Sequence, residues 1–390
     1  MRRFLYRLGL GLAITTSSST ALDGSRFLWY KEPATDWENG ALPIGCGRLG
    51  ATVFGGSNEV ITITEDTIWS GPIQHRIPEN GLKAFPKVRE LLVAGNITEG
   101  GQLCLREMTP VEESQRAFSY FGNLNIEFGH EDTENYVRWL DTRQGNSGVE
   151  YTYDGVNHTY PDRKKRESAV DKKLNATIKQ GFGKAKKEAL ANAGELLGRA
   201  DINLGKSPDS LADLPTNERV LEARTNARDF QLSTIAWNLG RHMLAAASRD
   251  TKAEMDMPAN LQGVWNNKTT AAWDGKYTIN INTEMNYWLA TSTNLVETNK
   301  PLFDLLKVAQ PRGQEMAKKL YGCDGTMFHH HLDLWGDPAP TDNYTSSTMW
   351  PVGAAWLVQH MIEHYRFTGD KDFLNTAYPY LVDVAKFFEC

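Results

Sequence analysis

Short runs of alternating apolar and polar residues fill the first part of the chain. Between Phe27 and about Tyr160, the runs ATVFGG, EVITITEDTIW, NLNIEFG and VEYTYDGVNHTY are rich in β-branched and aromatic residues and are broken by Gly and Asn. A period of two with these residue types is typical of half-buried strands. We therefore expect an antiparallel β-sandwich over residues 22–160. Its core is expected to include Trp29, Tyr30, Phe54 and Trp69.

The pattern changes abruptly after residue 160. The stretch DRKKRESAVDKKLNATIKQGFGKAKKEALANAGELLGRAD is rich in Ala and Lys and has few turn residues. Residues of this kind favour helix, so we expect a helical linker over residues 161–228. The Lys/Arg run within it is interpreted as a solvated helix face and not as a binding patch.

From Asp229 onward the apolar residues recur at helical spacing. Helices are expected at 229–248, from Glu284 to about Leu295, from Asn299 to about Leu320, over Met349–Thr368, and from Asp370 to Phe388. The apolar faces predicted for the first two are Phe230, Ile235, Ala236, Leu239 and Met243, then Met285, Trp288 and Leu289. Helix pairs joined by long loops indicate an α/α toroid over residues 229–390. The predicted fold class is therefore α+β and multidomain.

The stretch Pro258–Ala290 combines aromatic rings with side-chain amides. Its Trp and Tyr residues stand beside Asn260, Gln262, Asn266, Asn267, Asn280, Asn282 and Asn286. It has two carboxylates, Asp274 and Glu284, and two cations, Lys268 and Lys276. Aromatic rings can stack on the C–H face of a sugar, and amides both donate to and accept from hydroxyl groups. This composition suits an uncharged, polyhydroxylated ligand.

Asn280 and Asn282 are two residues apart. In an extended segment they point to the same side, which leaves Ile279 and Ile281 to face a core. The alternative is a turn in which the asparagine side chains bond to their own backbone. The spacing alone leaves both interpretations open.

A second candidate site lies in the loop 327–351. Its polar and aromatic residues are His329, His330, His331, Asp333, Trp335, Asp337, Asp342 and Trp350. Three interpretations compete for it: a metal site, a structural or pH-sensing histidine pair, and sugar-hydroxyl contacts by His330, Asp333 and Trp350. Consecutive residues of an extended chain point in opposite directions, which disfavours a metal cage built from the three histidines. The later H-x-x-E-H pattern, His360 to His364, is assigned to packing because core residues share its helix.

Charge and the N-terminus narrow the partners and the compartment. The net charge of −6 and the absence of a basic stripe argue against a nucleic-acid partner. MRRFLYR, LGLGLAI and TTSSSTA follow one another as a basic, an apolar and a small-residue region, so residues 1–21 resemble a secretory signal peptide. The apolar run is too short to span a bilayer, and no membrane partner is expected. Sequons at Asn96, Asn157, Asn175, Asn267 and Asn343 agree with a secreted glycoprotein.

Several long motifs resemble one enzyme family. PANLQGVWN, KYTININTEMNYW, ITEDTIWSGP and the 327–351 loop resemble glycoside hydrolase family 95, the α-L-fucosidases, and especially the secreted fungal members. The resemblance implies an (α/α)6 barrel and inverting hydrolysis of α-L-fucosides, notably α-1,2-linked ones, in a fucosylated oligosaccharide or glycan. It implies that Asn280 and Asn282 position the attacking water with an aspartate, and it implies no cofactor and no metal. The substrate-binding residues it suggests are Trp273, Asp274, Glu284, His330, Asp333 and Trp350.

The chain also departs from the family pattern. Cys46 stands where the family usually has Asn, and part of the family's N-terminal sheet has no counterpart here. The family's general acid, a glutamate in an S-P-E segment, and its partner aspartate follow the point where this chain reads VAKFFEC. We therefore expect a sandwich and a barrel that are each incomplete, in a shortened chain without the two catalytic carboxyls. The alternative function is a catalytically inactive carbohydrate-binding remnant, and a related L-sugar such as L-galactose is an alternative specificity.

Overall fold

The computed structural model describes residues 22–161, 181–253 and 255–390. The expected signal peptide, the sequon at Asn175 and the first part of the predicted linker, 162–180, lie outside the described residues.

Two antiparallel four-stranded sheets form the N-terminal region, in the orders β1-β6-β7-β8 and β2-β3-β4-β5. The strands are β1 (Phe27–Tyr30), β2 (Leu42–Gly45), β3 (Leu49–Val53), β4 (Asn58–Glu65), β5 (Gly122–Glu127), β6 (Glu134–Asp141), β7 (Asn146–Tyr153) and β8 (Val156–Pro161). Leu28 and Leu140 of the first sheet share one apolar core with Leu42, Ile44 and Val53 of the second. The predicted sandwich is therefore confirmed.

The large aromatic residues expected in that core lie mostly at its margin. Trp29, Tyr30 and Phe54 are only half-buried. Trp69 packs instead on Phe118 and Tyr277, with ring centroids 5.7 Å and 5.2 Å apart, so it joins the core of the helical domain. The alternating pattern located the strands but did not show which core each ring enters.

Helices interrupt the region that was predicted as strands alone. They are α1 (Trp37–Gly40), α2 (Gly81–Val93) and α3 (Ile97–Glu107). The latter two lie between β4 and β5 and bury Val88 and Cys104 against Met316 and Leu320 of the helical domain. Pro86 stands inside α2, and Pro is rare within helices, which disfavours a helix prediction for that stretch.

The remaining described elements are mostly helical. They are α4 (Phe182–Leu197), α5 (Asp209–Ala212), α6 (Thr216–Glu222), α7 (Phe230–Ala247), β9 (Tyr277–Thr278), α8 (Asn282–Ser292), α9 (Lys300–Met316), β10 (His331–Leu332), α10 (Thr345–Thr348), α11 (Gly353–Thr368) and α12 (Lys371–Phe388). A π-helical turn, Ala317–Tyr321, extends α9. The helices that the sequence predicted are thus present. Asp370 caps α12 as expected, since its side chain accepts from the Phe373 amide at 2.9 Å.

Helix α7 connects the sandwich to the helical domain through polar side chains. Phe230 and Ala236, predicted on its apolar face, are exposed, whereas Asn238, Arg241 and His242 are buried. These three side chains bond to backbone carbonyls: Asn238 to Ser25 at 2.9 Å, His242 to Pro43 at 2.8 Å, and Arg241 to Leu197 at 2.6 Å. Hydrogen-bonding demand, and not only hydrophobicity, therefore sets the buried face of this helix.

Helix α8 buries a different face from the apolar one in its sequence. It begins at Asn282, two residues before the predicted start, and it buries Thr283, Glu284, Tyr287, Ala290 and Thr291. Met285 and Trp288 are 43% and 51% exposed. Because polar residues occupy much of the buried side of this helix, the apolar residues in its sequence did not indicate which side packs against the core.

A disulfide joins Cys323, just after the π-helical turn, to Cys390, just after α12. Cys46 and Cys104 are free thiols and are buried. Helices within the described ranges are all too short or too polar to cross a bilayer.

Candidate active site

The two-stranded ribbon β9–β10 organises the candidate site. Thr278 is paired with His331, and Tyr277 is paired with Leu332. Paired residues of antiparallel strands share a face, so Tyr277 and Leu332 point into the apolar core while Thr278 and His331 point away from it. Just after the ribbon, the Ile279 amide donates to the His330 carbonyl at 2.9 Å.

His331 of this ribbon and His330, which directly precedes it, are buried side by side. The ring centroids of His330 and His331 are 4.0 Å apart, and His331 is 1% exposed. Burial, together with His330 and Lys276, lowers the pKa of His331 to about 2. Burial also lowers the pKa of His330, although Asp342 opposes that shift from 3.3 Å. Both rings are therefore neutral at physiological pH, and each offers one donor and one acceptor.

Several polar atoms of the ribbon have no hydrogen-bond partner in the described part of the chain. They are both ring nitrogens of His331, Nδ1 of His330 and the Thr278 hydroxyl. An unsatisfied buried polar group costs about 1–3 kcal/mol, so neighbouring unsatisfied groups indicate a site for a polar ligand or for ordered water.

The third histidine has a structural role. His329 is fully buried, its Nδ1 lies 2.7 Å from the Pro338 carbonyl and its Nε2 lies 2.9 Å from the Tyr321 hydroxyl. Burial lowers the pKa of His329 to about 3. His329 therefore supports the surrounding structure, whereas His330 and His331 belong to the candidate site.

A charged pair with a serine lies beside the histidines. Lys276 Nζ donates to Ser114 Oγ at 2.6 Å and approaches Asp274 Oδ2 at 3.2 Å, and Ser114 Oγ donates to the same carboxylate oxygen at 3.0 Å. Burial lowers the pKa of Lys276, and the Asp274 charge opposes this shift. Ser114 could not be recognised from the sequence, because it lies 160 residues before Asp274.

Trp273 stands at the outer side of this group. Its ring centroid is 6.5 Å from that of His331 in an edge arrangement, and the side chain is 68% exposed. Trp273, Asp274 and Gly275 have φ of 52°, 58° and 59°, so three successive residues are left-handed. We refer to Trp273, Asp274, Lys276, Thr278, His330 and His331 as the polar cluster.

Residues 112–118, which we call the bridging segment, hold the polar cluster from the N-terminal side. Gln115 Nε2 donates to the carbonyls of His331, Asp337 and Ala339 at 3.3, 3.3 and 3.0 Å. The Phe118 amide donates to the Asp274 carbonyl at 2.8 Å. The candidate site is therefore built where the N-terminal region meets the helical domain.

Asn280 and Asn282 do not lie in an extended segment. Strand β9 ends at Thr278, a turn follows, and Asn282 is the first residue of α8. Of the two interpretations left open by the spacing, the extended segment is therefore wrong, and residues 279–281 form a turn. Ile279 is buried as predicted, whereas Asn280, Ile281 and Asn282 are half-buried. Their amides stay close to the polar cluster along the chain.

Glu284 lies in the first turn of α8. Its side chain is 0% exposed, and neither carboxyl oxygen bonds to another side chain or backbone group within residues 22–161, 181–253 and 255–390. Burial raises the pKa of Glu284 to about 7. A carboxyl group in this state can hold a proton near neutral pH.

Asp333 and Trp350 were also predicted to contact the sugar, but they lie in different environments from the two histidines. The Asp333 carboxylate accepts from the amides of Arg116, Trp335 and Asp337 at 3.2, 2.9 and 3.1 Å, so it shapes the loop. Burial and the nearby Asp337 raise its pKa. The Trp350 ring packs on Trp356, with centroids 6.1 Å apart.

The metal interpretations gain no geometric support. No group of three or more His, Cys, Asp or Glu side chains suited to a metal ion occurs among the described residues. In the H-x-x-E-H pattern, burial lowers the pKa of His360 to about 4, and His364 packs on Phe303 and Phe373. His360 also lines a cavity of about 240 Å³ between α8 and α11. None of the polar cluster lines this cavity.

Comparison with known proteins identifies both regions. The family model for the glycosyl hydrolase family 95 catalytic domain matches residues 181–390. The model for the glycosyl hydrolase family 65 N-terminal domain matches residues 28–180. A solved structure titled "Putative kojibiose phosphorylase from human microbiome" superposes with a TM-score of 0.54 over 93% of this chain and 57% of its own, at 10% identity. That likeness concerns the fold alone.

Relatives of known sequence carry fucosidase names. "Alpha-L-fucosidase 2" of Arabidopsis thaliana is 24% identical over 92% of this chain and 58% of its own length. "Probable alpha-fucosidase A" of Aspergillus niger is 28% identical over 64% of this chain and 30% of its own length. The Aspergillus oryzae protein of the same name is 30% identical over 50% of this chain and 26% of its own. The chain therefore spans between about a quarter and three-fifths of these relatives.

Proposed function

Because the chain belongs to glycoside hydrolase family 95, we propose that it acts on terminal α-L-fucosides and releases L-fucose from oligosaccharides or glycans. The fucosidase names of the relatives support this substrate. The α-1,2 linkage and inversion at the anomeric carbon belong to the same proposal.

The polar cluster is the observation that carries the proposal. Neutral His330 and His331, the Thr278 hydroxyl and the exposed Trp273 ring offer donors, acceptors and an aromatic face without a dominant charge, since Asp274 offsets Lys276. Hydroxyl groups of a neutral sugar can satisfy the unpartnered nitrogens in either role. A carboxylated sugar would instead bring a negative charge beside Asp274 and Asp342.

Asn280 and Asn282 are assigned to the attacking water. A carboxamide can accept hydrogen bonds from water and so fix its orientation, but it cannot take a proton effectively at neutral pH. An inverting hydrolase therefore also needs a carboxylate base and a carboxylic acid, about 6.5–9.5 Å apart. The two amides would orient the water, and a carboxylate would accept its proton.

The test uses α-L-fucosyl fluoride. Fluoride leaves without a proton from a general acid, so the assay reports on the orientation of the attacking water. We expect the purified chain to release fluoride above the spontaneous rate. The double variant Asn280→Ala/Asn282→Ala should release fluoride at least about 100-fold more slowly than the wild-type chain. Fluoride release is followed with an ion-selective electrode.

Controls separate loss of the site from loss of the fold. Asn58→Ala removes an exposed amide of β4 and should leave the rate unchanged. Circular dichroism verifies that each variant is folded. A folded wild-type chain that binds L-fucose yet releases fluoride only at the spontaneous rate would refute the hydrolase and favour a carbohydrate-binding protein.

Secretion is also part of the proposal. The Cys323–Cys390 disulfide is typical of an oxidising compartment, and the sequon residues Asn96 and Asn343 are exposed. Expression with residues 1–21 in a secreting eukaryotic host should yield a protein in the medium whose Asn343 peptide carries an N-glycan by mass spectrometry. Retention of the unmodified protein in the cells would count against it.

A further inference from the structure

We infer that Trp273 is the platform for the sugar unit to which fucose is attached, and that Ser114 and Phe118 are positioning residues that hold this platform. The inference rests on the proposed function. It assigns the fucose residue to the buried histidines and the leaving-group sugar to the exposed indole.

The polar cluster has a buried part, which includes His331 and Lys276, and an exposed part, which is Trp273. His331 is 1% exposed and the Lys276 side chain is 3% exposed, whereas Trp273 is 68% exposed. A terminal sugar enters first and reaches the buried donors and acceptors. The next sugar must then lie toward the surface, beside the indole ring that meets His331 edge-on.

The backbone of this platform is strained. A bulky aromatic residue at φ 52° is an outlier, and Asp274 repeats the conformation at φ 58°. Such a turn persists only where its surroundings enforce it. Here the Phe118 amide binds the Asp274 carbonyl at 2.8 Å, and a Cβ at Gly275 would meet the Phe118 Cβ at 3.0 Å.

Side-chain contacts fix the same turn from its other side. The Asp274 carboxylate is held by Ser114 at 3.0 Å and by Lys276 at 3.2 Å. Both supports from the N-terminal region belong to the bridging segment. Several independent contacts thus hold the left-handed turn at Trp273 and Asp274. In this turn the indole of Trp273 faces outward, next to the ring nitrogens of His331 that have no hydrogen-bond partner among the described residues.

An indole face suits this role because pyranose rings present a face of C–H groups. Stacking on tryptophan tolerates differences among sugars more readily than a set of buried hydrogen bonds does. Trp273 should therefore control how strongly the leaving-group sugar contributes to binding, while the buried histidines control recognition of fucose.

Calorimetric titration with two ligands tests the inference. The ligands are methyl α-L-fucoside, which has no leaving-group sugar, and α-1,2-fucosylated lactose. We expect Trp273→Ala to weaken binding of the fucosylated lactose at least about tenfold and binding of the methyl fucoside less than about twofold. Trp273→Phe should restore most of the lost affinity.

Two further variants complete the design. Trp288→Ala removes another exposed tryptophan, on α8, and should alter neither affinity. Ser114→Ala should reproduce the selective loss in weaker form, and Ser114→Thr, which keeps the hydroxyl, should restore it. Circular dichroism confirms the fold of each variant.

The outcomes distinguish this inference from the proposed function. Equal weakening of both ligands by Trp273→Ala would place the indole in the fucose site and overturn the inference alone. An unchanged affinity for fucosylated lactose would overturn it as well. Failure of the folded wild-type chain to bind either ligand would overturn the proposed function and the inference with it.

Discussion

Glu284 is a buried carboxyl group whose oxygens bond to no other residue in the described part of the chain. Ionisation of such a group is costly because the surrounding medium cannot solvate the charge. Its pKa is accordingly raised to about 7 by burial. The folded chain therefore retains a proton that the unfolded chain releases at a pH near 4.3.

The sign of the pH dependence follows from this difference. Between about pH 4.3 and pH 7 the folded state binds more protons at Glu284 than the unfolded state, so its contribution to the free energy of unfolding falls as pH rises. Glu284→Gln, which mimics the neutral acid, should stabilise the chain by roughly 3–4 kcal/mol at pH 8 and change little at pH 4. Urea unfolding at the two pH values measures this.

Glu363→Gln provides the control for Glu284→Gln. Glu363 is an exposed carboxyl of α11, so its substitution should leave the free energy of unfolding nearly unchanged at both pH values. Destabilisation by Glu284→Gln at pH 8 would mean that the carboxylate has a stabilising partner in solution.

At the scale of the element, helix α9 shows how close packing overrides helix propensity. A Cβ at Gly313 would lie 2.5 Å from the Phe328 ring and 2.8 Å from the Met327 carbonyl. Gly240, in α7, has no atom within 4 Å of the same position. Both are helical glycines, so they form a matched pair.

Alanine should act in opposite directions at the two glycines. Gly240→Ala should raise the free energy of unfolding by about 0.5–1 kcal/mol through helix propensity. Gly313→Ala should lower it by roughly 1–3 kcal/mol, because Phe328 and the loop after α9 must move. Thermal and urea unfolding of both variants provide the test. Equal stabilisation by both would show that the contact at Gly313 relaxes without cost.

The elements that the sequence predicted best have strong local signals. The apolar period placed α7 and α12 within a residue or two, and the cap Asp370 marked the start of α12. The letters Ile-Asn-Ile-Asn fit both an alternating strand and a turn, so the sequence alone did not show that β9 ends at Thr278. The side of α8 that is buried was misjudged because Glu284 and two threonines occupy it.

At the scale of the molecule, the bridging segment joins the two regions through buried polar contacts. Gln115 is 4% exposed and donates to three carbonyls of the loop 331–339, while Thr341 donates its hydroxyl to the Gln115 side chain. Arg76 adds a buried ion pair with Asp337 at 3.2 Å. The loop that carries the histidines thus depends on residues more than 200 positions earlier.

Removing the amide of Gln115 should loosen this junction. Gln115→Leu keeps much of the volume but leaves buried carbonyls unsatisfied, so we expect a loss of about 3 kcal/mol in the free energy of unfolding. Differential scanning calorimetry measures the loss, and hydrogen exchange at residues 273–275 should increase. Gln359→Leu, at an exposed glutamine of α11, is the matched control. An unchanged transition in Gln115→Leu would show that water replaces the amide.

The sequence indicated only those residues of the candidate site that lie close together along the chain. Aromatic and amide residues of 258–290 and the histidines of 329–331 stood out because each group is contiguous. Ser114, Gln115 and Phe118 carry no motif of their own, and their roles come from the meeting of distant segments. Lys276 and Thr278 were visible as letters, but their contacts follow from the register of β9 with β10.

The bridging segment limits which part of this chain can be transferred into a chimaeric protein. Family boundaries divide the chain near residue 180, which invites chimaeras that graft the helical half onto a foreign sandwich. Such a graft would carry the histidines, both asparagines and Trp273, yet it would leave behind the groups that hold Asp274 and the histidine loop. The transferable unit is therefore the helical half together with residues 112–118 and Arg76, and a recipient that lacks them would inherit the residues of the site without its shape.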